Sequence, residues 1–156
     1  MRTGVRLGVD VGTARVGVAR SDPHGMLATP VETLARRDDV VAGIRRLVDE
    51  HSAIEIVVGL PIALSGAETA STGDARAVAG TIADALGVPV RLVDERLTTV
   101  SAARGLREAG RTSKNSRSVV DQAAAVILLQ HALDLERASG NPPGALVEPH
   151  ESRPAE

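Results

Sequence analysis

The chain has 156 residues, enough for one domain with a substantial core. Its 18 basic and 20 acidic residues leave a net charge of −2, so no global charge field advertises nucleic acid and any such contact must come from local arrangement. With no cysteine, disulfides and thiolate metal sites are excluded; with no Phe, Tyr or Trp, base stacking on aromatic platforms is excluded and Val, Leu, Ile and Ala must build the core. The opening MRTGVRLGVDVGTARVGVAR is too charged and glycine-rich for a signal peptide. No apolar run approaches the roughly 20 residues that cross a membrane, so a cytoplasmic location is expected.

Residues 5–11 (VRLGVDV) and 15–20 (RVGVAR) are β-rich runs separated by Gly12, Thr13 and Ala14, which predicts a hairpin. Residues 26–34 (MLATPVETL) suit a third strand at a sheet edge, where Pro30 is best tolerated. Over 38–51 the period changes: Val40, Val41, Ile44, Leu47 and Val48 follow helical spacing, with Asp38 or Asp39 near the N-cap. IEIVVGLP (54–61) reads as a strand buried on both faces, and 62–73 as a polar, small-residue loop. A second helix is predicted over 74–86, a strand over 89–95 and a helix over 99–109 stopped by Gly110. A polar loop (110–117) then leads into the longest apolar helix, 119–137, with Ser118 and Asp121 as a capping-box-like start. Residues 1–138 are expected to form the folded domain, and 139–156, rich in Pro, Gly and charge, a disordered tail. Three meandering strands followed by βα units imply an α/β fold: a mixed sheet with helices on both faces, of the kind that suits a ribonuclease-H-like core.

Three acids sit in distinctive settings. Asp10 is a carboxylate inside an apolar strand, and such a residue needs a cation, a donor network or solvent. It can equally be an acceptor for the Gly12–Thr13 turn, and D-x-G-T also occurs in the phosphate hairpin of actin-like kinases. Asp94 and Glu95 end a strand on opposite faces, so only one can share a site with Asp10 while the other pairs with arginine or caps the next helix. Asp121 is placed in the first turn of the last helix, where an acid is also favoured by the helix dipole. Ala123, Ala124 and Ala125 would let that helix approach a sheet closely. If the three converge, their oxygens suit Mg²⁺ or Mn²⁺, and a pair of ions about 4 Å apart can activate water and stabilise a leaving oxygen without a protein nucleophile. Arg104, Arg107, Arg111 and Lys114 recur every three or four residues just before Asp121; they read either as a phosphate-holding stretch or as a solvated surface.

Four segments in order, LGVDVGTARVGVARSD, VVGLPIALSG, LVDERLTTVSA and SVVDQAAAVILLQ, make the chain resemble the YqgF/RuvX family over about residues 5–137. That family is ribonuclease-H-like and is described as Holliday junction resolvases and as pre-16S rRNA nucleases. The resemblance implies a metal-dependent nuclease with Asp10, Glu95 and Asp121 as catalytic acids and metal ligands, favouring Glu95 over Asp94. It implies that Gly12, Thr13, Gly59, Pro61 and Gly66 border the site, and that Arg96, Thr98 and Thr99 contact or support substrate. Members commonly carry Lys or Arg where this chain has Ala14, which is expected to weaken one phosphate contact. The expected partner is structured nucleic acid: precursor rRNA, with ribosomal precursor particles, or branched DNA. The chain would act as a monomer or homodimer; a resolvase calls for a symmetric pair. An actin-like phosphotransferase fits less well, since that class clasps nucleotide between two such domains, and a non-catalytic RNA-binding assembly factor leaves three acids unexplained.

Overall fold

A computed structural model of the chain describes residues 1–96 and 114–148, with backbone alone over 114–119. Its elements are β1 (Arg6–Val11), β2 (Arg15–Ser21), β3 (Ala28–Ala35), α1 (Val40–His51), β4 (Glu55–Leu60), α2 (Ala70–Ala85), β5 (Val90–Asp94), α3 (Lys114–Ser139) and β6 (Ala145–Leu146). The six-stranded sheet runs β3-β2-β1-β4-β5-β6. The three leading strands pair antiparallel, β4 and β5 join parallel to β1, and β6 pairs antiparallel to β5. This is the mixed α/β sheet that the element order predicts. Pro30, which cannot donate to a ladder, lies in β3 at the sheet's edge. All six residues of β4 are buried, as a strand covered on both faces requires.

Strand alternation divides the core in two. Leu7, Val9, Val11, Val16, Val18, Ile56 and Val58 face α1 and α2, where Ile44, Leu47, Ala75, Ala79 and Ile82 meet them. Ala19, Ala28, Val57 and Val93 face α3 through Ala124, Ala125, Leu128, Leu129, Ala132 and Leu133. Asp39, of the two candidate caps, closes α1 by accepting from the Ala42 amide. Helix α2 starts at Ala70, four residues before the predicted 74, because Thr69 and Thr72 cap each other reciprocally.

Two expectations fail. Helix α3 begins at Lys114, so Ser118 is not its cap and Asp121 is not in its first turn but two turns further in. Of the predicted 110–117 loop, 110–113 lie outside the described residues and 114–117 are helical: the stretch is polar, yet no Gly or Pro from Lys114 to Ser139 interrupts the helix. The tail is not wholly irregular either: Leu146 and Ala145 pair with Arg91 and Leu92 of β5. The predicted helix over 99–109 lies outside the described residues, among which no helix is long and apolar enough to cross a membrane.

At the amino edge of the parallel strands two buried carboxylates are matched by arginines. Glu55 accepts from Arg2 at 2.8 Å and Arg91 at 2.6 Å. Glu136, near the end of α3, accepts from Arg2 at 2.6 Å and from the buried Arg6 at 3.0 Å. Burial alone raises the Glu136 carboxyl, but hydrogen bonds from Arg2 and the charges of Arg6 and Arg2 outweigh it and hold the group at about 2. Because this lies below the ordinary 4.5, the stabilisation is complete above that pH and is lost as pH falls from 4.5 toward 2. Glu136→Gln should therefore cost roughly 2–3 kcal/mol in urea denaturation at pH 7 and about half of that at pH 3; an equal loss at both pH values would show that the charge of Glu136 is not what stabilises the fold.

Candidate active site

Asp10 is the penultimate residue of β1 and wholly buried. Leu7, Val9 and Val11 turn to the α1/α2 side, so Arg6, Gly8 and Asp10 turn to α3. Its neighbours on both flanking strands are glycines. Gly17 of β2 is its Cα partner. On the other side Val58 of β4 is the partner of Val9, so the next residue, Gly59, flanks Asp10.

Each glycine is covered by a second acid. A Cβ at Gly17 would stand 2.1 Å from the Asp121 carbonyl oxygen, so α3 rests at this point on bare backbone beside Asp10. A Cβ at Gly59 would stand 2.0 Å from Glu95 Oε1, so the Glu95 carboxylate occupies the space a side chain would fill. Gly8 continues the floor: its added Cβ would meet Leu129 Cβ at 2.7 Å. Asp10, Glu95 and Asp121 thus stand along one edge of the sheet, at 0%, 2% and 0% exposure.

Alternation separates Glu95 from its neighbour. Val93 enters the α3 core and Glu95 follows on the same side. Asp94, partly exposed, accepts from the Arg96 amide and from Arg96 Nε, both at 2.9 Å. The Arg96 guanidinium holds the Asp94 carboxyl below the usual carboxylate range.

Two residues that sequence reasoning passed over belong to this edge. Arg15 Nε donates to Asp121 Oδ2 at 2.6 Å. Strand parity was the available signal, because Arg15, Gly17 and Ala19 alternate onto the α3 face together. Arg36 donates to the Gly12 carbonyl at 2.9 Å and grips Asp74 of α2 at 2.8 and 3.0 Å, bracing the hairpin turn from below. No sequence pattern marks that contact.

The predicted bordering residues are distributed as follows. The Gly12 amide donates to the Arg15 carbonyl at 2.9 Å, while Thr13 is exposed at the turn. Gly59 is floor, and the Pro61 carbonyl accepts from the Thr72 hydroxyl, which ties α2 to the strand end. Gly66 has φ +91°, with Arg96 Nη1 lying 3.4 Å from where its Cβ would be. Thr98, Thr99, Arg104, Arg107 and Arg111 lie outside the described residues; Lys114 is the first residue of α3.

The donor chemistry suits a hard divalent cation: carboxylate oxygens from three segments, on a water-poor face, allowed to approach one another by glycine. Among the described residues no three acid or histidine side chains form a ready-made cage. The fold brings the carboxylates to one edge, and one Asp121 oxygen is held by Arg15.

The model of a family described as "RuvX: Holliday junction resolvase" matches residues 4–135. A protein of Clavibacter michiganensis subsp. michiganensis named "Putative pre-16S rRNA nuclease" is 60% identical over 150 residues, covering 94% of this chain and 93% of its own. One of the same name from Streptomyces coelicolor is 56% identical over 151 residues, covering 95% and 90%. The solved structure of T. thermophilus RuvC in complex with a Holliday junction substrate superposes with a TM-score of 0.53 at 17% identity, over 87% of this chain and 97% of that one. At that identity the likeness concerns the fold.

The glycine floor generates a direct test. Gly17→Ala should cost about 2–3 kcal/mol in urea denaturation, since helix backbone rather than a flexible side chain blocks the new methyl. Gly73→Ala, in α2 with open space around it, should instead gain about 0.5–1 kcal/mol. Equal effects would mean that α3 does not rest on Gly17.

Proposed function

The chain belongs to the RuvX family, and on that premise we propose that it is a metal-dependent nuclease that hydrolyses phosphodiester bonds at Asp10, Glu95 and Asp121. The observation that carries this reading is the row of three buried carboxylates over a glycine floor at the carboxyl edge of the parallel strands. Burying three acids on one face costs stability that packing alone does not require. Ligands in open α/β sheets also sit outside this edge.

Mg²⁺ or Mn²⁺, as a pair of ions, would supply the charge that activates water and neutralises the leaving oxygen. Asp10 and Glu95 would hold them from the strand ends and Asp121 from the helix. The low exposure of all three keeps water from screening these charges. Arg96, with its guanidinium steered by Asp94, and Thr98 and Thr99 after it, would contact or support substrate. Arg104, Arg107, Arg111 and Lys114 would hold the phosphate backbone leading into Asp121. Gly12, Thr13, Gly59, Pro61 and Gly66 border that space.

The substrate we favour is precursor 16S rRNA, trimmed near its 5′ end on ribosomal precursor particles; the names of the relatives at 56–60% identity support this. A branched DNA junction is the second reading, supported by the description of the family. That activity would need a homodimer presenting two sites, whereas trimming can proceed with a monomer.

Asp10→Asn should lower cleavage at least about 100-fold and abolish stabilisation by Mg²⁺ or Mn²⁺ in thermal melts. Side-by-side cleavage of precursor rRNA and a four-way DNA junction separates the two substrates; undiminished cleavage by the mutant would defeat the metal-nuclease reading. Arg111→Ala with Lys114→Ala should weaken substrate binding and reduce the slope of log affinity against log salt by about 1–2. An unaltered slope would assign both residues to solvated surface.

A further inference from the structure

Arg15 reaches Asp121 across 106 residues of sequence, with Nε donating to Oδ2 at 2.6 Å. The two side chains differ in exposure: 25% for Arg15 and 1% for Asp121. The acid is therefore fixed in the interior and the arginine enters from the rim. We propose that Arg15 is a displaceable counter-ion: it neutralises Asp121 while no divalent cation is bound, and swings out to solvent when one takes that oxygen. This rests on the metal-nuclease reading of the same three acids.

The physical case has three parts. A buried carboxylate needs a compensating charge, and the Arg15 guanidinium stands in ion-pair contact with Asp121 to provide one. A divalent ion on Asp121 would repel that guanidinium, so the two positive charges compete for one carboxylate. The arginine is also free to leave. It directly follows the exposed Thr13–Ala14 turn and holds Asp121 through Nε, whereas Arg36 grips Asp74 with both terminal nitrogens. Cation affinity then includes two opposed terms, the pull of the three acids and the cost of evicting Arg15. The second keeps the site closed to cations until their concentration exceeds a threshold.

The test uses the full chain with Mg²⁺ or Mn²⁺ alone, without substrate. Arg15→Gln should melt lower than wild type in chelator, gain more on cation addition, and bind Mn²⁺ about threefold or more tightly in calorimetry. Arg15→Lys, which keeps the charge, should stay close to wild type. If wild type responds to cation and Arg15→Gln titrates identically, the counter-ion role falls while the metal reading stands. If wild type itself shows no response, the metal reading falls and takes this one with it. Should Arg15→Gln fail to fold, the Arg15 Nε–Hε resonance of wild type decides: saturating Mg²⁺ should move it toward the position of a free arginine, and an unmoved resonance overturns the proposal.

Discussion

The contact on which the rest of this structure depends is backbone against backbone: α3 lying on a sheet surface from which side chains have been removed. Gly8 and Gly17 on β1 and β2, with Gly59 on β4, leave no Cβ beneath the helix or beneath Glu95. At Gly17 the approach is so close that a single methyl would collide with the main chain of Asp121. Helix–sheet packing through larger residues would lift Asp121 away from the strand that carries Asp10. Ala124 and Ala125 are buried in the same interface, while Ala123 turns outward, so two of the three alanines serve the approach. Close packing here is a requirement of the site as much as of the core.

The two edges of the sheet treat buried acids differently. At the amino edge, Glu55 and Glu136 are enclosed by Arg2, Arg6 and Arg91, with several charge-assisted hydrogen bonds to each carboxylate. That network ties residues near the chain's start to the far end of α3. At the carboxyl edge, three acids crowd one face around glycine, and Asp121 is met by an arginine that enters from the rim. The first arrangement pairs buried acids with arginines and serves the fold. The second gathers negative charge where the strands end, which suits a site that must admit cations and phosphate.

Much of this was legible in the residues. β-rich runs placed β1, β2 and β5, continuous apolarity placed β4, Pro30 marked β3 as an edge strand, helical spacing marked α1, and a long apolar stretch marked the body of α3. The alternation of Asp94 and Glu95 foretold that the two would part, one toward α3 and one toward Arg96. What was misread had little pattern to read. The first residues of α3 are polar and carry no apolar period, so they read as loop, and Asp121 reads as a first-turn residue when it lies two turns inside the helix. The pairing of Ala145 and Leu146 with β5 depends on an open edge that the tail's composition does not reveal.

By itself the sequence determined the order of elements from β1 to β5, the faces on which strand residues fall, and the acids that stood out by their setting, because these depend on local periodicity and on the chemistry of single residues. Only the tertiary structure decided that Arg15 meets Asp121, that Arg36 braces the Gly12 turn, and that Glu95 fills the space above Gly59. Each of those contacts joins segments far apart in the chain. Their geometry follows from how closely α3 and the strand ends approach, and no local pattern encodes that distance.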